Sequence, residues 1–381
     1  MESISYQKKK TYSLLPTFLS KIQKLLYNKI PIYRDYYLKI LMLVFLSITI
    51  GSCYSIETDC DNSSIGGGGD FYWELTSEIS NPNSIAVASN GDIWIVARDF
   101  ETILHKVYLS ANNGDTWVLK GSSIPLVNNL QSIAINPVNN YIFYVNGWRM
   151  FRSTNRGEDW LQIWEGLPIK DIIITTSGEI YFTTNENVYY SSNNGNIWIK
   201  KDKVLPLSSF FTQSLALGTD GTLYAGTSGG IYRSTDGGNT WLPSSNYTNI
   251  YPNVSIGGLA ITGNGSIYAT TDRFEYEIGV LKSTDKGVTW NPVNNGRPVM
   301  NAGKIIYNPI TKDIFVGDFR YTSNVYRWSN NLGAWRLKNT GISDRTYICD
   351  FALNPNTGQM YVATNGLDYT KGGLYRTKNY P

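Results

Sequence analysis

Ten side chains in this 381-residue chain carry chemistry suited to holding a polar ligand: Arg98, Asp99 and Phe100; Asp272, Arg273 and Tyr276; Phe319, Arg320 and Tyr321; and Tyr369. Guanidinium and carboxylate groups hydrogen-bond polar substituents while aromatic rings cover apolar surface, which fits a sugar or a polar peptide. The plainer alternative is a set of solvated hairpins whose Arg and Asp residues pair with each other. Glycosidase chemistry would need two carboxylates about 5–10 Å apart across the substrate. Asp99, Glu101, Asp272, Glu275 and Glu277 meet that only if their loops converge. His105 is the sole histidine, so it alone is available to a Ser-His-Asp triad. Three cysteines, Cys53, Cys60 and Cys349, are too few for a His/Cys zinc site. The sequence therefore assigns no catalytic residue, no metal and no cofactor.

The elements that must position these residues repeat along the chain. One motif returns as SANNGDTW (110–117), STNRGEDW (153–160), SSNNGNIW (191–198), STDGGNTW (234–241) and STDKGVTW (283–290), with a shortened form SNNLGAW (329–335). Successive tryptophans stand 43, 38, 43, 49 and 45 residues apart, and Trp73 precedes Trp117 by 44. Each period holds four short strands, as in SLALGT, TLYAGT, GIYRST and TWLPS, separated by turns such as Asp220-Gly221 and Gly237-Gly238. A four-stranded antiparallel unit of about 40–45 residues is a propeller blade. The last period stops at Pro381 without its fourth strand, and Phe71–Leu75 is a fourth strand without a blade. Pairing the two ends removes both open edges, so the expected fold is an all-β, seven-bladed propeller whose last blade is closed by the strand around Trp73.

The motif S-x-D-x-G-x-x-W resembles the Asp-box of bacterial neuraminidase-type repeats, found in sialidases, sortilin-like receptors, xyloglucanase-type propellers and photosystem II assembly factors. The resemblance covers residues 71–381. It implies that the Ser and Asp/Asn side chains bond amides of the hairpin between strands three and four, and that the tryptophan packs on the neighbouring sheet. The box residues are Asn112, Asn155, Asn193, Asp236, Asp285 and Asn331. Asparagine keeps the turn bonds but supplies neither charge nor a general base, so the box reads as structural. The sialidase signature Phe/Tyr-Arg-Ile-Pro is missing, and Arg98, Arg273 and Arg320 fall on loops instead of the family's strand positions. Xyloglucanase-type enzymes clamp substrate between two propellers, whereas this chain has repeats for one.

Antiparallel blades put the first-to-second and third-to-fourth turns on one side, and the second-to-third loops with the crossovers on the other. Measured from strand two to the motif Ser/Thr, the second-to-third segments are 10 residues in blades two, three and four. They are 14–16 in blades five, six, seven and one, which are consecutive around the ring. The ten candidate residues lie in or beside these longer segments.

The formal charge of +3 divides unevenly. Residues 1–52 hold eight basic and two acidic residues, leaving the remainder with 25 basic against 28 acidic. The basic excess thus belongs to a leader and speaks for export, with no basic stripe for nucleic acid. The run from Ile40 to Ile50 is too short to span a bilayer but fits a secretory signal. Ile50-Gly51-Ser52-Cys53 resembles a bacterial lipobox, which implies lipidation at Cys53; ordinary cleavage and an uncleaved anchor remain alternatives. The polar stretch before the run is unusually long, which suggests a translation start further downstream. The expected organisation is leader and signal at 1–52, a Gly/Ser-rich tether at 53–70 and the propeller at 71–381. The expected protein is a monomeric lipoprotein of the bacterial cell envelope, at the outer membrane or cell surface, binding a glycan or protein without catalysis. An exo-acting glycoside hydrolase and a photosystem-assembly-type factor are the alternatives.

Overall fold

The computed structural model describes residues 71–77, 79, 81–98, 105–120, 131–185, 187–201, 212–243, 254–271, 278–297, 302–318, 323–366 and 372–378, all within the unit 68–381. Its described elements are strands and turns, which form seven four-stranded antiparallel sheets. Blades one to six run 82–120, 131–165, 169–200, 212–243, 256–292 and 302–337. Blade seven combines residues 346–378 with the strand Tyr72–Ser77 as its outermost member. The expected seven-bladed propeller, closed by the N-terminal strand, is the observed fold.

Second strands are buried on both faces, as Ile93–Arg98, Ile180–Thr184 and Leu223–Thr227 show, which accounts for their continuous apolar and small residues. First strands of neighbouring blades pack on one another around the axis. The core lies between sheets: the described apolar clusters each join two adjacent blades. Outer strands such as Ile199–Lys200 and Leu242–Pro243 are short and exposed, which limits edge pairing with other chains.

Closure depends on Trp73. Its side chain is 1% exposed among Phe315, Val325, Ile348 and Met360, and its indole Nε1 donates to Lys338 O at 2.7 Å. Trp73 N also donates to Thr340 O at 2.9 Å. Gly341 allows this approach: its φ is +96°, and a Cβ there would overlap the Trp73 carbonyl.

The repeated hairpins form one regular side of the ring. At Ser110, Ser153, Ser191, Ser234 and Ser283 the hydroxyl donates to Oδ1 of the Asn or Asp two residues on, at 2.8–3.0 Å. It also accepts the glycine N–H four residues on, at 2.8–2.9 Å. The same Oδ1, on Asn112, Asn155, Asn193, Asp236 and Asp285, accepts another amide across the turn. The sixth hairpin differs. Its motif is one residue shorter, the ladder continues to Ser329 opposite Ala334, and Asn331 makes none of these bonds among those described.

Residues in the left-handed region of these turns reach back to the preceding blade. Arg156 pairs with Asp92 at 2.8 Å, Lys286 with Asp220 at 2.9 Å, Asn194 accepts from Asn136, and Asn113 accepts from Tyr361 across the closure. Leu332 occupies this place in the sixth hairpin and is 53% exposed.

Candidate functional site

The opposite side carries the starts of the first strands, the ends of the second and the crossovers. Here a polar network joins blades seven and one. Arg98 ends the second strand of blade one, where its side chain is exposed, and its ladder partner is His105. His105 is 6% exposed, with Nε2 2.7 Å from Asn83 Nδ2. Asn83 Oδ1 accepts from Asn365 Nδ2, so Asn83 turns its N–H toward the imidazole and His105 Nε2 acts as acceptor. That places the imidazole proton on Nδ1. Asn81 completes the frame: its Oδ1 accepts the amides of Gly366 at 3.2 Å and Gly372 at 2.8 Å, and its carbonyl accepts Arg98 N at 3.1 Å.

Tyr347 stands at the same corner. Burial raises its phenol pKa, Cys349 adds to the rise, and the Asn365 side chain and Arg98 charge oppose it. Burial and Asp350 push the neighbouring Cys349 thiol up to about 12, which removes it as a nucleophile at neutral pH. Among the described residues, Asn365 Oδ1 is buried without a hydrogen-bond donor. The corner thus carries an exposed guanidinium beside a half-buried phenol, groups whose chemistry suits hydrogen bonds to polar substituents.

Beneath it runs the axis. Strand register places Ser84, Ser132, Asp171, Ser214, Gly258, Lys304 and Asp350 at equivalent positions of the seven first strands. At Lys304 burial disfavours the charge, but Asp350 and Asp171 outweigh that and raise its pKa. Burial pushes Asp171 up to about 6, against the Lys304 charge and two amide bonds. Both carboxylates are committed. Asp171 accepts Leu215 N at 2.7 Å and Ile172 N at 2.9 Å. Asp350 accepts Ser84 Oγ at 2.9 Å, Ile85 N at 3.1 Å and Phe351 N at 3.0 Å. They tie adjacent blades together, capping amides that the first-strand bulges expose, and are not a free acid/base pair.

In the crossover from blade five, the buried Arg297 forms an ion pair with Asp318 of blade six and lies 5.3 Å from the Tyr326 ring centroid. Among the described residues no group of three or more His, Cys, Asp or Glu side chains is arranged to hold a metal.

Of the ten ligand candidates, Arg98 lies in the network. Asp99, Phe100, Asp272, Arg273, Tyr276, Phe319, Arg320, Tyr321 and Tyr369 lie outside the described residues, as does Cys53. Sequence reasoning did not select Asn81, Asn83, Tyr347 or Asn365, because short first strands of different blades give no local sign that they meet. The axial positions did leave a sign: each polar residue directly precedes an aliphatic run, as in DIIITT and DFALNP.

Residues 69–296 match the family profile described as the DUF6242 beta propeller domain. No curated protein matches the chain. Among solved structures, the GH74 enzyme of Niastella koreensis is 18% identical with a TM-score of 0.57, over 81% of this chain and 56% of that one. The GH74 xyloglucanase of Xanthomonas campestris is 13% identical with a TM-score of 0.57, over 77% and 59%. YCF48 bound to D1 peptide is 12% identical with a TM-score of 0.60, over 82% and 98%. At these identities the likeness is one of fold, and this chain spans little over half the length of the GH74 enzymes.

Proposed function

The chain belongs to the DUF6242 beta propeller domain family, and from that premise we propose that it is a non-catalytic binding module whose ligand, a glycan or a protein, docks on the crossover side of blades seven and one. The observation that carries this reading is the Arg98–Tyr347–Asn365 corner, where an exposed guanidinium and a half-buried phenol stand on a framework fixed by Asn81, Asn83 and His105. Preorganised polar groups on rigid strands favour recognition, since little ordering cost remains when the ligand arrives. The carboxylates nearest the axis are occupied by backbone amides, which argues against their use as a hydrolytic pair. YCF48 bound to D1 peptide, matched over 98% of its length, supports the binding reading by analogy of fold. The loops around Arg273, Tyr276, Arg320 and Tyr321 would extend the same face. The lipobox-like Ile50-Gly51-Ser52-Cys53 supports presentation of the module from an N-terminal lipid at the cell envelope.

The test is capture of glycans and membrane proteins from the envelope by the full chain, repeated with Arg98→Ala. Retention that falls at least about tenfold in the variant, with an unchanged melting point, supports the site. Retention equal in both, or turnover of a glycan, overturns it.

A further inference from the structure

Trp148 is the feature that the blade seven and one network leaves unused. Strands two and three of blade two pair as far as Asn146 opposite Arg149, which leaves Gly147-Trp148 as a two-residue turn on the same side as Arg98. Gly147 has a φ of +68°, the conformation that such a turn requires at its first position. The turn is pinned from the crossover to blade three: Gly166 N donates to Trp148 O at 3.1 Å, and Ile169 N donates to Gly147 O at 2.7 Å. A rigid backbone therefore holds an indole that is 59% exposed. Leaving so much aromatic surface in water forgoes burial energy that the other described tryptophans gain. The equivalent turn of blade four, Ser228-Gly229, carries no such ring.

The surroundings favour one kind of occupant. Arg149 Nε and Nη2 donate to Glu165 Oε1 at 3.0 and 2.9 Å, and Gln162 Nε2 donates to Glu165 Oε2 at 3.0 Å. This polar array begins beside the turn and spans the third and outer strands of the blade. Leu167, 38% exposed, is the other large apolar side chain exposed on this corner among the described residues. A protein interface of about 1,000 Å² or more has an apolar centre built from several side chains. One ring bordered by oriented donors and acceptors matches instead the apolar face and equatorial hydroxyls of a sugar.

We propose that Trp148 is the stacking platform of a saccharide subsite, with Arg149, Glu165 and Gln162 bonding the hydroxyls of a neutral pyranose. This rests on the binding-module reading and narrows its ligand to a glycan. It also extends the face by one blade beyond Arg98.

Calorimetric titration of the full chain with cellohexaose, xylohexaose, chitohexaose and maltohexaose tests it. At least one hexasaccharide is expected to bind, with affinity about tenfold weaker in Trp148→Ala, largely retained in Trp148→Phe, and with no change in melting point. No binding up to about 10 mM of any hexasaccharide, or equal affinity in Trp148→Ala, overturns the proposal. Affinity lost in Arg98→Ala but kept in Trp148→Ala sinks the subsite while leaving the blade seven and one reading in place.

Discussion

The two sides of the ring are built on different principles. On the hairpin side, five turns repeat one set of bonds closed within a few residues, and in four of them a left-handed residue latches onto the preceding blade. On the crossover side, the network of Asn81, Asn83, Arg98, His105, Tyr347 and Asn365 occurs once among the described residues and joins strands more than 200 residues apart. Repetition serves stability, since each seam needs the same fastening. A single asymmetric cluster suits the proposed recognition role, since a ligand needs one place to sit.

The largest effect should come from breaking what both sides share. Trp73→Ala removes a side chain buried in the closing seam, and large aromatic truncations cost about 3–5 kcal/mol. Thermal unfolding should show a drop of several degrees, and binding should fall with it, because blade seven carries Tyr347 and Asn365.

This contrast also explains what the sequence discloses. The box motif, its spacing and the orphan strand around Trp73 are local signals, so blade number and closure were legible. The lopsided loop lengths point to the crossover side and to Arg98, which ends the second strand of blade one beside the polar network. The partners of Arg98 were hidden because Asn83 and Asn365 meet only through ring closure, 282 positions apart. Trp148 was passed over because its loop is short, although a short, pinned turn is what fixes its indole. Lys304, Asp171 and Asp350 were visible as polar starts to aliphatic strands, but nothing local told that they face one axis.

A smaller effect should sharpen the comparison. Ser153→Ala deletes the hydroxyl that serves Asn155 and Gly157, leaving a buried amide without its acceptor at a cost of about 1–3 kcal/mol. The melting point should fall while ligand affinity holds.

The smallest effect lies in pH. The Thr240 hydroxyl and amide hold Asp236 down to about 2, so its contribution is present above its unfolded value and is lost as pH falls through about 4 toward 2. Asp171, pushed up to about 6 by burial, has the opposite sign: its contribution is full below its unfolded value near 4 and is lost as pH rises through 6. Melting points measured from pH 2 to 7 should therefore show a shallower acid limb for Asp236→Asn and a flatter region between about pH 4 and 6 for Asp171→Asn.

The separation of holding from binding is most directly tested by measuring ligand affinity and melting point together for Ser153→Ala and Arg98→Ala. The account predicts a lower melting point with unchanged affinity for the first, and weakened affinity with an unchanged melting point for the second. If both variants lose stability and binding in parallel, the two sides do not divide these roles.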